Sequence, residues 1–513
     1  MTDIIANIGL KSRYKKVFVA AILCGIFSQG MGIFNKYSVH DDVACTFSVG
    51  ATYTSGRWML DIMSKVEKWI FGDGLYSLPV INGSISIICI ALAACFIIKM
   101  VGIGNELIDI CVVGLMVSCP VVTSMFSFMF TAHFYMLGML LGVIGTFLVC
   151  ECDKRWINGI GILCISMSIG VYQAFLSCIL SLMLLYLIKE LMDRDTINIS
   201  MFAKKRIFLL GGAITSGLAI YFGVTKIYLL IMRAQLNSYK GISSFGITSL
   251  KGYLIRIINA YIEFFAPSKN TQYNIYPGNV RTVYIIMIIC CILADIVWCY
   301  KKRKNSHVRI MIYVVLIALL PLSYNFVYLM VDKEEIHSLM LYGQVFPFIR
   351  FAQIIDRMNF NCKRLARIKV VVGYAVFVLG IISYSRYDNK CYLKATYIQQ
   401  ETISYFTTLV TQIKNVSGYT DEMPVVYINA GNITDKSIYE MEELNNIEIS
   451  YYGGIKAYIN DYVWDRFMAR WCGYSPTRAD EETYKNLPEV LNMPTYPDDG
   501  SIKVVDEVIV VKF

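Results

Sequence analysis

Charge is scarce in this chain: Asp, Glu, Lys and Arg make up only 17% of its 513 residues, against 56% hydrophobic residues. A soluble fold of this length needs more polar surface than that, so the excess apolar material belongs in lipid. No CxxC pair occurs, and the 16 cysteines lie mostly within apolar runs, where a thiol behaves as a small hydrophobe; they indicate no metal site. A net charge of +9 is not gathered into a basic patch interleaved with exposed aromatics, which argues against a nucleic-acid partner. Internal repeats and low-complexity tracts are also missing. No A-x-A cleavage site follows the first apolar run, so Val17 to Phe34 reads as a signal anchor rather than a cleaved peptide.

The apolar runs themselves, such as Ile81 to Ile98, Met136 to Cys150 and Tyr284 to Trp298, are almost free of charge. Each is about the length that crosses a hydrocarbon core of ~30 Å. Basic connectors separate them: Asp153-Lys154-Arg155, Lys204-Lys205-Arg206, Lys301-Lys302-Arg303-Lys304 to Arg309, and Lys363-Arg364 to Lys369. Cytoplasmic loops carry such residues, and Lys11, Arg13, Lys15 and Lys16 before the first run place the N-terminus on the same side. The expected architecture is an all-α polytopic bundle of about eleven transmembrane helices, with a small α+β extracytoplasmic domain at the C-terminal end.

The bundle is assigned to residues 1–387, with external loops at 35–78 and 233–279, and the aqueous domain to 388–513. Ile157 to Ile188 is too long for one span and is split at Ser168-Ile169-Gly170-Val171-Tyr172-Gln173. Span ten is placed at Ser338 to Ile355, with Arg350 snorkelling toward the cytoplasm, and span eleven at Val370 to Tyr384. In the C-terminal domain, Met423 to Ile428 and Val504 to Val511 read as short buried strands and Thr402 to Ile413 as a helix. Cys391 and Cys472 are candidates for a bridge if that compartment is oxidising.

Chemistry is best sought in the first external loop, where His40-Asp41-Asp42 follows span one and Thr54-Ser55-Gly56-Arg57-Trp58 comes after it. Sugar transfer from a lipid phosphate needs a carboxylate to accept the proton of the attacking hydroxyl and cations to meet the departing phosphate. Asp41 or Asp42 fits the first role, and Arg57 or Lys36 the second. In an extended loop consecutive side chains point opposite ways, so one aspartate faces the acceptor while the other orients a cation or helix end. The plainer alternative makes the acids solvated loop residues or helix caps, and Arg57 and Trp58 interfacial anchors.

Residues 59–71 form an amphipathic helix with Leu60, Met63, Val66 and Ile70 in one stripe, and Leu250 to Phe265 forms a second, both suited to lie on the outer leaflet. His133, Tyr135, Tyr172-Gln173, Asn325 and His337 lie at similar depth near outer helix ends. Their shared depth makes them candidates for substrate contact, against the ordinary alternative of satisfied interhelical hydrogen bonds.

Asp41-Asp42 after span one, Ser55-Gly56-Arg57-Trp58 entering a surface helix, and Gly170-Val171-Tyr172-Gln173 between spans five and six resemble the Gtr-type (GtrII-like) glucosyl transferases that convert O-antigen serotype. The match covers roughly the membrane portion. The resemblance implies a GT-C-like glycosyltransferase of the bacterial inner membrane. Such an enzyme takes glucose or a related hexose from a polyprenyl-phosphate donor on the periplasmic face. It passes the sugar to a lipid-linked O-antigen or surface polysaccharide acceptor of lipopolysaccharide type, with inversion in one displacement. It carries Asp41 and Asp42 over as base candidates and Arg57 as a phosphate-binding candidate. It calls for no cofactor, and a divalent metal stays open because that requirement differs among GT-C enzymes.

A transporter or flippase of lipid-linked sugars is the chief alternative, weakened by the lack of an obvious repeat and by how few ionisable residues lie at mid-membrane. A polymerase or ligase of surface polysaccharide is a third, which favours an arginine-rich external loop over an acid pair.

Overall fold

A computed structural model describes residues 12–193, 206–237, 248–302, 307–357, 363–432, 442–452 and 463–513. The expected basic residues Lys11, Lys204, Lys205, Arg303 and Lys304 lie outside these. The chain divides into two compact units: the first comprises Met1–Asn35 and Val49–Asn389, the second Lys36–Ser48 and Lys390–Phe513.

The first unit is helical. In chain order it contains α1 (Ser12–Phe34), α3 (Trp58–Phe71), α4 (Pro79–Val101), α5 (Glu106–Ser118), α6 (Pro120–Phe126), α7 (Met129–Glu151), α8 (Arg155–Val171), α9 (Leu176–Asp193), α10 (Phe208–Ile231), α11 (Leu250–Phe265), α12 (Asn279–Lys302), α13 (His307–Tyr324), α14 (Phe346–Arg357) and most of the described membrane part of α15 (Lys363–Lys414). Helix α2 (His40–Ala44) belongs to the second unit. Among the described residues eight helical stretches are long and apolar enough to cross a membrane. The protein is therefore a membrane protein, and among the described residues such stretches number fewer than the eleven spans expected.

The shortfall has physical causes. Helix α8 has 17 residues, about 25 Å at ~1.5 Å per residue, short of a full hydrocarbon core. The run expected as span ten breaks into 3₁₀ turns at Ser338–Met340 and Tyr342–Val345 before the 12-residue α14. Residues Phe346 to Ile354 are buried throughout, so this stretch is enclosed by protein rather than lipid. The run expected as span eleven lies inside α15, a helix of 52 residues that also contains the stretch Thr402 to Ile413 expected as a separate helix.

Arg350 does not snorkel. It is buried and donates to Asp295 at 2.5 Å, to the Tyr313 hydroxyl at 2.8 Å and to Gln353 Oε1 at 2.5 Å. Asp295 stands in α12, so Arg350 is held as a buried ion pair with each charge offset by the other.

Small residues bring α7 and α8 together. A methyl group at Gly145 would stand 2.6 Å from the Gly161 carbonyl oxygen, and one at Gly161 would stand 2.8 Å from that of Gly145. With no side chain between them the backbones approach closely. Gly142 against Ser168 and Gly138 against Val171 continue the approach to the C-terminal end of α8 and hold the Gly170–Gln173 segment against α7.

The second unit carries a three-stranded sheet of β1 (Val425–Ile428), β2 (Ile502–Val505) and β3 (Val508–Lys512) in the order β1-β3-β2. β1 runs parallel to β3 and β2 antiparallel to it. The single strand expected over Val504 to Val511 is thus a hairpin. Asp506 (φ 48°) and Glu507 (φ 59°) both take the left-handed conformation that a two-residue turn matching strand twist demands. Val426, Ile428, Val490, Met493, Val505, Val508 and Val510 form the core on one sheet face. Neither Cys391 nor Cys472 is joined in a disulfide, so the bridge considered between them is not formed.

Candidate functional site

The candidate residues fall into two clusters, one in each unit. In the first unit, the chain at Ser55–Trp58 turns sharply into α3. Gly56 takes φ 72°, open to glycine at little cost, and a Cβ there would meet the Tyr221 hydroxyl at 2.6 Å and Gln173 Nε2 at 2.9 Å. Gln173 Nε2 occupies that space, donating to the Ser55 carbonyl at 2.7 Å and to the Tyr221 hydroxyl at 3.0 Å. Arg57 stands at the N-terminal boundary of α3. Its Nη1 donates to the Tyr135 hydroxyl at 3.1 Å, and its guanidinium lies 4.7 Å from the centroid of the Tyr172 ring. Tyr135 and Tyr172 are themselves 5.0 Å apart, centroid to centroid.

Trp58 is buried rather than anchored at an interface. Its indole covers Gly170 so closely that a Cβ on that residue would stand 2.6 Å from Trp58 Cε2. The two short motifs, Ser55-Gly56-Arg57-Trp58 and Gly170-Val171-Tyr172-Gln173, are therefore one packed object. Each contributes a glycine that makes room for the other's side chain. Chemically the object presents a guanidinium backed by a tyrosine face and oriented by a tyrosine hydroxyl. Planar, permanently charged and with its donors in a fixed fork, such a group suits the oxygens of a phosphate.

Other expected groups are placed differently. His133 Nε2 pairs with Glu67 at 2.8 Å, while its buried Nδ1 has no hydrogen-bond partner among the described residues. Asn325 donates to the Ala260 carbonyl at 2.9 Å and accepts from Gln344 at 2.7 Å, an ordinary interhelical bond. His337 precedes the turn Ser338–Met340, whose Ser338 hydroxyl bonds Ser124 at 2.8 Å. The expected stripe on α3 divides: Leu60 is buried, whereas Val66 and Ile70 are exposed. On α11, Arg256 and Glu263 turn inward to Asp332 (3.0 Å) and Lys333 (2.8 Å), leaving Leu254, Ile258 and Ile262 outside.

Tyr221, Asn237 and Asp61 were not anticipated. Asn237 donates through its backbone to the Thr54 carbonyl at 2.9 Å and through Nδ2 to the Ser55 hydroxyl at 3.1 Å. Asp61 pairs with Lys65 at 2.7 Å and accepts from Tyr228. The helical spacing of Asp61 and Lys65 is legible, but nothing in sequence points to tyrosines so far along the chain.

In the second unit, Asp41 and Asp42 lie in the first turn of α2, not in an extended loop. Two acids there complement the helix dipole. Asp42 is buried and ion-paired with Lys36. Asp41 is partly exposed and meets His40 Nδ1 at 2.9 Å. The His40 ring stacks on Tyr451 at 4.3 Å. The segment is held by the C-terminal part of the chain: Gln399 accepts from the Ser38 amide at 2.8 Å and donates to the Lys36 carbonyl at 2.9 Å, and Tyr37 bonds Thr396 at 2.9 Å. Arg470 closes the far end, binding the Val43 carbonyl and the Thr46 hydroxyl, the latter at 2.7 Å. Burial, and then the neighbouring Asp41 and Asp42 carboxylates, push the Cys45 thiol up to about 12.

Residues 30–348 match the sequence model of a family described as glucosyl transferase GtrII. The chain belongs to the GtrII glucosyl transferase family. The matched stretch contains every candidate residue from Lys36 to His337, so this GtrII protein is a membrane glycosyltransferase acting on a sugar donor and an acceptor. No curated protein matches it, and no solved structure does.

Proposed function

We propose that this GtrII protein moves glucose or a related hexose from a polyprenyl-phosphate donor to a lipid-linked O-antigen or surface polysaccharide acceptor. The reaction takes place at the periplasmic face of the bacterial inner membrane, with the N-terminus cytoplasmic. The family match over residues 30–348 carries this reading. With this reading we take residues 1–387 as a GT-C-like transferase body and 388–513 as a periplasmic domain.

In this reaction Asp41 takes the proton of the acceptor hydroxyl as that oxygen attacks the anomeric carbon from the side opposite the phosphate. The bond to the phosphate breaks in the same step, so the configuration inverts. Asp41 suits the task better than Asp42, because Asp42 is buried against Lys36 while the Asp41 side chain is partly exposed. Arg57, held by Tyr135 and Tyr172, binds the departing phosphate, whose charge a guanidinium stabilises without supplying a proton. Trp58, Gln173 and Tyr172 fix the arginine. His133 and His337 remain candidates for contact with the sugars.

The test is sugar transfer by the purified protein in detergent, using labelled polyprenyl-phosphate glucose and a lipid-linked acceptor. Label appearing on the acceptor supports the transferase and disposes of a flippase, which forms no bond. Full transfer by the D41N/D42N double variant would remove the acids from the mechanism.

A further inference from the structure

The first unit contains a cavity that the transfer chemistry does not use. It has a volume of about 230 Å³ and lies among α11, α12, α13 and α14. Its walls are apolar, with the rings of Tyr261, Phe264, Phe265 and Tyr324 and two prolines, Pro321 and Pro347. Two wall residues, Phe265 and Ile292, are exposed at its rim, and further along α12 Ile289 and Ile296 are exposed as well. In a membrane protein such a rim faces lipid. At the cavity's polar end stand Arg350 and Asp295, already paired with each other.

We propose that this cavity holds a stretch of the isoprenoid chain of a polyprenyl phosphate. The proposal rests on the polyprenyl-phosphate donor inferred above and adds where its tail is gripped. The charges favour a tail over a headgroup, because Asp295 and Tyr313 occupy the Arg350 guanidinium and leave no net positive charge for a phosphate. At 230 Å³ the space is below the ~300–1,000 Å³ of sites that enclose a whole small ligand, so it takes part of a long one.

The lining favours an isoprenoid over a saturated acyl chain. The wholly buried Tyr324 hydroxyl and Arg350 Nε have no hydrogen-bond partner among the described residues. A saturated chain offers them nothing, whereas the double bonds of an isoprenoid present π-faces that weakly accept O–H and N–H groups. Methyl-branched units also fill a short, wide, ring-lined slot better than a straight chain does.

The experiment uses the full-length protein in nanodiscs of saturated phosphatidylethanolamine and a polyprenyl phosphate bearing a diazirine on its chain. Photoadducts are mapped by mass spectrometry. Adducts are expected on residues 288–292 and 317–321. They should fall at least about tenfold in A318W, which fills the slot, or in I288F should A318W fail to fold. Transfer by A318W from the long-chain donor should need more donor for half-maximal rate, while a water-soluble short-chain prenyl-phosphate glucose is used as by the wild type. Adducts confined to other helices, or adducts at 288–292 abolished by excess phosphatidylethanolamine, would overturn the proposal and leave the donor reading intact. Adducts in the cavity with no sugar transfer from any prenyl phosphate would support the isoprenoid slot and overturn the donor reading instead.

Discussion

The segment bearing Asp41 and the segment bearing Arg57 are close neighbours in sequence but are built in opposite ways. The arginine segment is held by membrane helices: Tyr135 of α7, the end of α8 and Tyr221 of α10 surround it, and its fit depends on glycines. The acid segment is held by residues far along the chain, Thr396, Gln399, Tyr451 and Arg470, and its fit depends on polar bonds to backbone groups. Close packing over glycines sets the first apart, and hydrogen bonds to the C-terminal part of the chain the second. Lesions in the two should therefore differ in kind, with packing defects near Arg57 and chemical defects near Asp41.

The sharpest break in that comparison is at Asp41. D41N keeps the size of the side chain and the His40 contact but removes the basic oxygen, so transfer should fall ~10²–10⁴-fold with the thermal unfolding midpoint nearly unchanged. Measured side by side, D42N should lower stability as well as rate, because it leaves Lys36 without its buried partner.

Next in size is Arg57. R57A should slow transfer by roughly 10²-fold, the scale of losing one charge-stabilising donor, and R57K should restore little. A lysine keeps the charge but loses both the fork to Tyr135 and the flat face on Tyr172. Rates of the two variants at saturating donor decide this, and full activity in R57K would reduce the site to a point charge.

A smaller effect is expected of G170A. Its new methyl would overlap the Trp58 indole, and overpacking of this kind costs about 1–3 kcal/mol. The loss should appear in thermal unfolding in detergent, and a compensating W58F change should recover part of it.

The smallest effect concerns Cys45 and sharpens the electrostatic side of the comparison. With its thiol pushed up to about 12 by burial and the two acids, Cys45 is almost wholly protonated at neutral pH. In a variant retaining only this cysteine, maleimide labelling should be slow at pH 7 and accelerate as pH rises toward 12. D41N should shift that acceleration to lower pH, since it removes one of the two negative neighbours.

Much of the membrane part was legible, because an apolar run is a local property: Ser12–Phe34, Pro79–Val101 and Asn279–Lys302 lie where their composition put them. The order of the family motifs was legible too. Their meeting was not, since Gln173 and Ser55 are 118 residues apart and no pattern along the chain encodes a contact between side chains so distant. The same holds for Arg350 and Asp295, whose burial as a pair depends on two helices facing each other. The hairpin over Val504 to Val511 was missed because a run of valines outweighed the two acids that turn it.

The central strand of the small sheet, β3, is made after every other described element of its unit. On the ribosome, the stretch carrying Asp41 emerges long before Val508 to Lys512 exist to close the sheet on which Trp464, and through its helix Arg470, depends. The contacts described for the arginine cluster reach no further along the chain than Tyr221 and Asn237, so these can form by mid-synthesis. A growing chain would thus pack the Arg57 segment against its membrane helices well before the Asp41 segment gains the support of Arg470 and the helix that carries it.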